Sequence, residues 1–274
     1  LVVAGSWDST IRVWDARAGR QISCLKGHTD GIYSVSLSWD SRMIASGSDD
    51  RTVRIWDVSS GKQLRCCREH NGSVTCVSWS EDGRMIASGS DDGTVGVWEA
   101  SSGNLISCCE GHEGSVMIVA WSRDGRMIAS GSDDGTVGVW EASSGNLISC
   151  CEGHEGSVMI VAWSRDGRMI ASGSDDGTVR VWEASSGRPI RSCKEKTDFV
   201  NNVSGAVRLI ETTSGKLGYQ IDRSEGPRPF PTHIAWLGNG QLIASGTDDQ
   251  KVRLWEGMFF ELKEMRRSKR LKTA

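Results

Sequence analysis

The sequence holds no uninterrupted apolar run approaching the roughly 20 residues that cross a bilayer. It has no CxxC pair, no GxxxxGK[ST] phosphate loop and no GxGxxG turn. We therefore expect no membrane span, no metal, no cofactor and no small-molecule substrate. Charge is also sparse in net terms, at -3 over 274 residues. Residues 1–190 carry 17 Lys/Arg against 25 Asp/Glu, whereas residues 191–274 carry 15 against 10. The body is mildly acidic and lacks the clustered positive face that phosphate binding needs, so it is not expected to contact nucleic acid. Helical periodicity is absent before about the last 20 residues. No secretory signal opens the chain. It begins at Leu1-Val2-Val3-Ala4-Gly5, already within a strand pattern, and its natural start is expected to lie elsewhere.

What the sequence does contain is a tryptophan at a fixed interval. Trp14, Trp56, Trp98, Trp140 and Trp182 are each 42 residues apart, and residues 82–137 are identical to residues 124–179. A period near 40 marks a repeat architecture in which one unit is one small sheet that cannot bury its apolar face alone. The nine cysteines follow the period. Cys24, Cys66, Cys108 and Cys150 form one column, Cys67, Cys109, Cys151 and Cys193 the next, and Cys76 stands apart. Adjacent strand residues point to opposite faces, so each pair places one thiol in and one out. Reduced packing cysteines and a cytoplasmic location follow as expectations, with a nuclear location left open.

Residues 153–193 show the unit best. Val158 to Trp163 is a buried strand, and Arg165-Asp166-Gly167-Arg168 is a turn. Met169 to Gly173 is a second strand, and Asp175-Asp176-Gly177 is a tight turn. Thr178 to Trp182 alternates as a third strand, Ser185-Ser186-Gly187 turns, and Ile190 to Cys193 is the fourth. Met85, Met127 and Met169 recur as core fillers.

The Gly-His loop, the Ser-Gly strand end, the Asp turn and the closing Trp-Asp or Trp-Glu resemble the WD-repeat family over nearly the whole chain. Trp14-Asp15 and Trp56-Asp57 carry the family dipeptide, and Trp98-Glu99, Trp140-Glu141 and Trp182-Glu183 are close variants. The resemblance implies an all-β fold, a β-propeller of about seven blades of antiparallel strands around a channel. Six third strands end at a tryptophan, the last being Trp255. A seventh has Ile210 in its place. Spacing breaks there: Trp182 to Ile210 is 28 residues and Ile210 to Trp255 is 45. We therefore expect a propeller over 1–257 with intact blades within 21–193. The degenerate sixth blade falls at about 197–222, the last blade at about 230–262, and a basic tail at 263–274. The first and sixth blades are expected to lack a strand, which leaves ring closure open. The near-identity of successive units also resembles the WD arrays of fungal NACHT-type signalling ATPases of non-self recognition. On that likeness the array would be the ligand-sensing part of a larger signalling protein.

Four sets of side chains invite a hydrolase reading: His28/Ser46/Asp50/Trp56, His70/Ser88/Asp92/Trp98, His112/Ser130/Asp134/Trp140 and His154/Ser172/Asp176/Trp182. Three points oppose it. The set occurs four times, and an enzyme needs one site. Each Ser lies in a small-residue strand, not on a G-x-S-x-G elbow. The resemblance implies instead a hydrogen-bonded chain from the turn, through His and Ser, to the indole N–H. An unpartnered buried indole N–H costs about 1–3 kcal/mol, so a Ser acceptor beside it stabilises. The Asp turns are too short to be calcium loops.

The resemblance places partner contacts on the loop face. That rim offers Trp7, Asp49, Asp91, Asp133, Asp175 and Asp248, with Glu113 and Glu155 in the loops. The acids either favour a basic protein or peptide or simply cap turns and keep the rim soluble. Trp7 is either an anchor or a packing residue. The tail from Lys263 to Lys272 holds six basic residues and one acid, and reads as a solvated end, with nuclear targeting or nucleic-acid contact as alternatives. The expected function is a non-enzymatic scaffold that binds protein or peptide. The alternative is an enzyme using the channel.

Overall fold

The computed structural model describes residues 1–15 and 20–194, the last two as backbone, and the backbone of 231–237, 242–247 and 252–256. Every regular element among them is a β-strand. The first sheet has three strands, β1 (Val2–Gly5), β2 (Thr10–Trp14) and β3 (Gln21–Lys26). The second has four, β4 (Ile32–Leu37), β5 (Met43–Ser48), β6 (Val53–Asp57) and β7 (Gln63–Cys67). The third runs β8 (Val74–Trp79), β9 (Met85–Ser90), β10 (Val95–Glu99) and β11 (Leu105–Cys109). The fourth runs β12 (Val116–Trp121), β13 (Met127–Ser132), β14 (Val137–Glu141) and β15 (Leu147–Cys151). The fifth runs β16 (Val158–Trp163), β17 (Met169–Ser174), β18 (Thr178–Glu183) and β19 (Pro189–Lys194). The last described sheet is three-stranded, β20 (Pro231–Leu237), β21 (Leu242–Thr247) and β22 (Val252–Glu256), and it lies beside β16 and β17. All pairings are antiparallel and follow chain order, as in a propeller blade. The degenerate blade about 197–222, Asp248 and the tail 263–274 fall outside the described residues.

Turn chemistry sets the strand ends. Ser80 Oγ donates to Asp82 Oδ1 at 2.6 Å, and the same oxygen accepts Arg84 N–H. The residue after Asp82 is Gly83 at φ 68°, repeated by Gly125 and Gly167. In the second sheet Ser41 takes this left-handed position at φ 58°. At the other end of the blade Gly93, Gly135 and Gly177 have φ of 81°, 83° and 77°, with Ser9 and Arg51 in the equivalent places.

The core lies between sheets, not within them. Ala87, Val95, Val97 and Cys109 of the third sheet meet Val116, Val119, Ile128, Trp140 and Ala142 of the fourth. The second and third sheets repeat this with Ala45, Val53, Ile55 and Cys67 against Val74, Val77, Ile86 and Trp98. Trp56, Trp98, Trp140 and Trp182 are fully buried in these seams. Of the paired thiols, Cys67, Cys109 and Cys151 face inward, and burial pushes each up to about 12. Cys108 and Cys150 face outward.

A second tryptophan column ties the inner strands together. Trp79, Trp121 and Trp163 donate their indole N–H to Ser36 O, Ser78 O and Ala120 O of the preceding blade at 3.0–3.1 Å. On the outer strands, Ser107 and Ser149 donate to Ala142 O and Ala184 O of the next blade, both at 2.7 Å. Arg65 does the same to Ser101 O. Ser23, the equivalent residue in the first sheet, is the one buried side-chain polar group without a partner among the described residues.

The seams are tight enough to test. A Cβ on Gly131 would lie 2.6 Å from Val158 Cγ1 and 2.9 Å from Val158 O. One on Gly125 would meet only Met85 Cε, at 3.9 Å. Gly131→Ala should therefore destabilise by overpacking, about 1–3 kcal/mol, from an otherwise unstrained backbone. Gly125→Ala should lose only the left-handed penalty of roughly 1–2 kcal/mol. Combining Gly131→Ala with the compensating Val158→Ala should restore part of the urea midpoint. An absence of coupling between the two sites would contradict seam packing.

Candidate binding face and the hydrogen-bonded sets beneath it

The loop before each inner strand and the turn between second and third strands lie at one end of each blade. The loop supplies His, the second strand supplies Ser, the turn supplies Asp, and the third strand supplies Trp. In the fourth sheet His112 Nδ1 lies 3.0 Å from Asp134 Oδ2, and Nε2 lies 2.7 Å from Ser130 Oγ. Trp140 Nε1–H donates to the same Ser130 oxygen at 2.7 Å. His28, Ser46, Asp50 and Trp56 repeat this at 2.7, 2.7 and 2.8 Å. His70, Ser88, Asp92 and Trp98 give 3.1, 2.7 and 2.7 Å, and His154, Ser172, Asp176 and Trp182 give 2.9, 2.7 and 2.7 Å.

A fifth member was missed in the sequence. Thr52, Thr94, Thr136 and Thr178 donate their hydroxyls to the turn Asp at 2.6–2.7 Å and sit 3.0–3.4 Å from the His Nδ1. The signal was present, because Thr follows each of these Asp residues by two. In the second sheet Arg54 is also buried. It donates to Asp50, Thr52 and Gln63.

Donor and acceptor roles follow from the network. Nδ1–H donates to the carboxylate, Nε2 accepts the Ser O–H, and the Ser oxygen accepts the indole N–H. The imidazole is neutral, because burial lowers the pKa of all four His residues against the upward pull of their Asp partners. Burial pushes Asp50, Asp92 and Asp134 up, but hydrogen bonds led by the Thr hydroxyl outweigh it and hold each at about 2. Asp176 is lowered the same way. The Asp also reaches the loop: Asp134 Oδ2 accepts Glu113 N–H at 2.9 Å, as Asp92 accepts Asn71 N–H and Asp176 accepts Glu155 N–H.

These buried sets carry an exposed rim. Asp91, Asp133, Asp175, Glu113 and Glu155 are exposed and Asp49 is half-buried. Each rim Asp is fixed by its backbone. Asp49 N–H donates to Gly31 O, Asp91 N–H to Ser73 O, Asp133 N–H to Ser115 O and Asp175 N–H to Ser157 O, at 2.9–3.1 Å. Trp7, at the same step, is 72% exposed. Two further aromatics on the surface escaped the sequence reading. Tyr33 is 45% exposed, and Trp39 is 75% exposed at the opposite end of the blade. Trp39 could have been found as the aromatic in a column otherwise filled by Glu81, Arg123 and Arg165. Among the described residues no group of three or more His, Cys, Asp or Glu is placed to hold a metal ion.

Residues 32–207 match the family model described as the echinoderm microtubule-associated protein second β-propeller, and residues 1–15 and 224–256 match the WD domain, G-beta repeat. The chain belongs to the WD-repeat β-propeller family. Curated relatives match over a short stretch. The peroxisomal targeting signal 2 receptor of Mus musculus is 50% identical over 34 residues, 12% of this chain and 11% of that protein. Its Homo sapiens counterpart is 47% identical over 34 residues, 12% of this chain and 10% of that protein. The chain thus aligns with about a tenth of the length of these relatives.

Acid should unfold the protein early. Between their lowered pKa and the ordinary 6.5, the four His residues bind fewer protons folded than unfolded. Their contribution is complete above 6.5 and declines as pH falls below it. The Asp residues add a second loss as pH falls from the ordinary 3.8 toward 2. Replacing His112 with Ala should cost about 1–3 kcal/mol at pH 7.5, since it takes the acceptor from the Ser130 hydroxyl and one donor from Asp134. It should also flatten the decline below pH 6.5. Thermal melts from pH 4.5 to 8 check both; an unchanged pH slope would remove the assignment.

Proposed function

We propose that the chain is a non-enzymatic scaffold whose loop face binds a basic protein or peptide. The observation that carries this reading is the repeated rim acid. Asp49, Asp91, Asp133 and Asp175 recur at one end of successive blades, with Glu113 and Glu155 beside them, and none is consumed by the buried sets. WD-repeat chains act generally as interaction scaffolds, and a receptor for a targeting signal among the relatives fits peptide recognition. Like charges on one face raise the local concentration of an oppositely charged partner and speed its encounter.

The same geometry speaks against hydrolysis at the His-Ser-Asp sets. The four Ser residues are wholly buried, and each Ser oxygen already accepts an indole N–H. A nucleophile needs an open approach to the carbonyl it attacks. The identity of residues 82–137 and 124–179 supports an extension of this reading, in which the face is the ligand-sensing part of a larger signalling protein.

A fluorescent peptide of alternating lysine, arginine and serine, titrated into the whole chain, tests the face. Asp91→Lys combined with Asp133→Lys should weaken binding roughly tenfold at low salt and reduce its salt dependence. Equal affinity of variant and parent across the salt series would overturn the proposal.

A further inference from the structure

Position 7 carries tryptophan where the other blades carry Asp49, Asp91, Asp133 and Asp175. Between later blades the contact across this step is polar: Ser73 Oγ donates to Asp49 Oδ1 at 2.5 Å, and Ser157 Oγ donates to Asp133. Between the first and second blades both partners differ. Trp7 replaces the Asp, and Gly31 stands where the later loops have Ser73, Ser115 and Ser157. A Cβ on Gly31 would lie 2.6 Å from Trp7 Cε3, so the indole rests on bare backbone that only glycine leaves open. That contact seats the ring, yet most of it remains in water. An indole held in place but not buried is a contact surface, since its packing value is unspent.

Tyr33 stands beside it at the head of inner strand β4. The two ring centroids are 4.9 Å apart and the planes meet at 77°. Two aromatic faces therefore form an open corner at the loop end of the blade. Partial burial raises the Tyr33 phenol above its ordinary value, and the carboxylates of Asp49, Asp91 and Asp30 raise it further. Two of these anions adjoin the seat of the indole: Asp30 Oδ1 accepts the Gly31 N–H at 2.8 Å, and Asp49 N–H donates to Gly31 O at 2.9 Å.

We propose that the corner made by Trp7 and Tyr33, with Asp30 and Asp49 beside it, receives an arginine side chain of the partner. The proposal rests on the loop-face reading and narrows it to one blade step and one residue type. A guanidinium is planar, sheds water more readily than an ammonium, stacks on aromatic faces and pairs bidentately with carboxylates. A lysine ammonium is a strongly hydrated point charge and uses the ring faces less well.

The test uses residues 1–274 and three fluorescein-labelled peptides of glycine and serine, carrying two arginines, two lysines or two citrullines. The arginine peptide should bind, the lysine peptide roughly threefold more weakly and the citrulline peptide roughly tenfold more weakly. Trp7→Ala should erase the arginine preference, and Trp7→Phe should retain part of it. Gly31→Ala keeps the indole but its Cβ displaces it, and should cut affinity roughly fivefold. Tyr33→Leu gives an independent arm should Trp7→Ala melt early. Lysine or citrulline binding as tightly as arginine would overturn the assignment, as would an unchanged preference in Trp7→Ala and Tyr33→Leu. If Asp133→Lys weakens the arginine peptide while neither aromatic change does, the corner fails and the acidic face stands. If none of the peptides binds, both fail.

Discussion

No four-stranded sheet among the described residues can hide its own faces. The third and fourth, for example, carry apolar side chains on both sides, and a lone four-stranded sheet would leave both wet. The seams solve this by pairing unlike faces. The small side chains of one blade, such as Ala87 and Val97, meet the large ones of the next, such as Ile128 and Trp140. Small against large allows the sheets to approach closely, which is why Gly131 comes so near Val158. The repeat of 42 is thus a packing requirement, since a unit that changed its face would spoil two seams.

Burying an indole in each seam creates a polar problem, because its N–H must be satisfied away from water. The buried sets answer it through a chain of donors ending on an anion. Ser takes the indole proton donor, His takes the Ser proton, and the Asp carboxylate takes the His proton. Thr and a loop N–H complete the carboxylate. The inner tryptophans use a simpler answer, donating straight to the neighbouring blade's backbone carbonyl. One column therefore joins loop to turn within a blade, and the other joins blade to blade.

The fold was legible because its constraints are periodic. The 42-residue interval, the Asp-Gly turns and the alternating third strand fix where strands end, and a three-stranded first sheet followed from counting strands before Trp14. Less legible was anything that depends on which neighbour a side chain meets. Thr136 looks like a strand residue until the turn brings it under Asp134. Tyr33 escaped the sequence because exposure at the head of an inner strand depends on the adjacent blade, whereas the charged column of Glu81, Arg123 and Arg165 marked the place of Trp39 as exposed. Ser23 illustrates the converse. It occupies a place where later blades hydrogen-bond across the seam, yet its own hydroxyl finds no partner. The rim acids were readable as positions but not as orientations, since the backbone bonds that hold them link loop to turn across more than a dozen residues.

Those backbone bonds connect the stability of the blade to the order of its exposed rim. Asp134 is half-buried and ionised, and its carboxylate holds both His112 and the N–H of Glu113. Its neighbour Asp133 is exposed and tied through its own N–H to Ser115 O. The residue that closes the hydrogen-bonded chain and the residue exposed on the rim are therefore adjacent in sequence and share one turn. A rim held this way loses little conformational freedom when a partner docks, so more of the contact energy appears as affinity. The substitution of Trp7 for a rim Asp keeps this logic, because the ring is seated on Gly31 instead of being tied by a carboxylate. Repetition supplies a rigid frame, and each blade step can then change its exposed residue without disturbing the seam beneath.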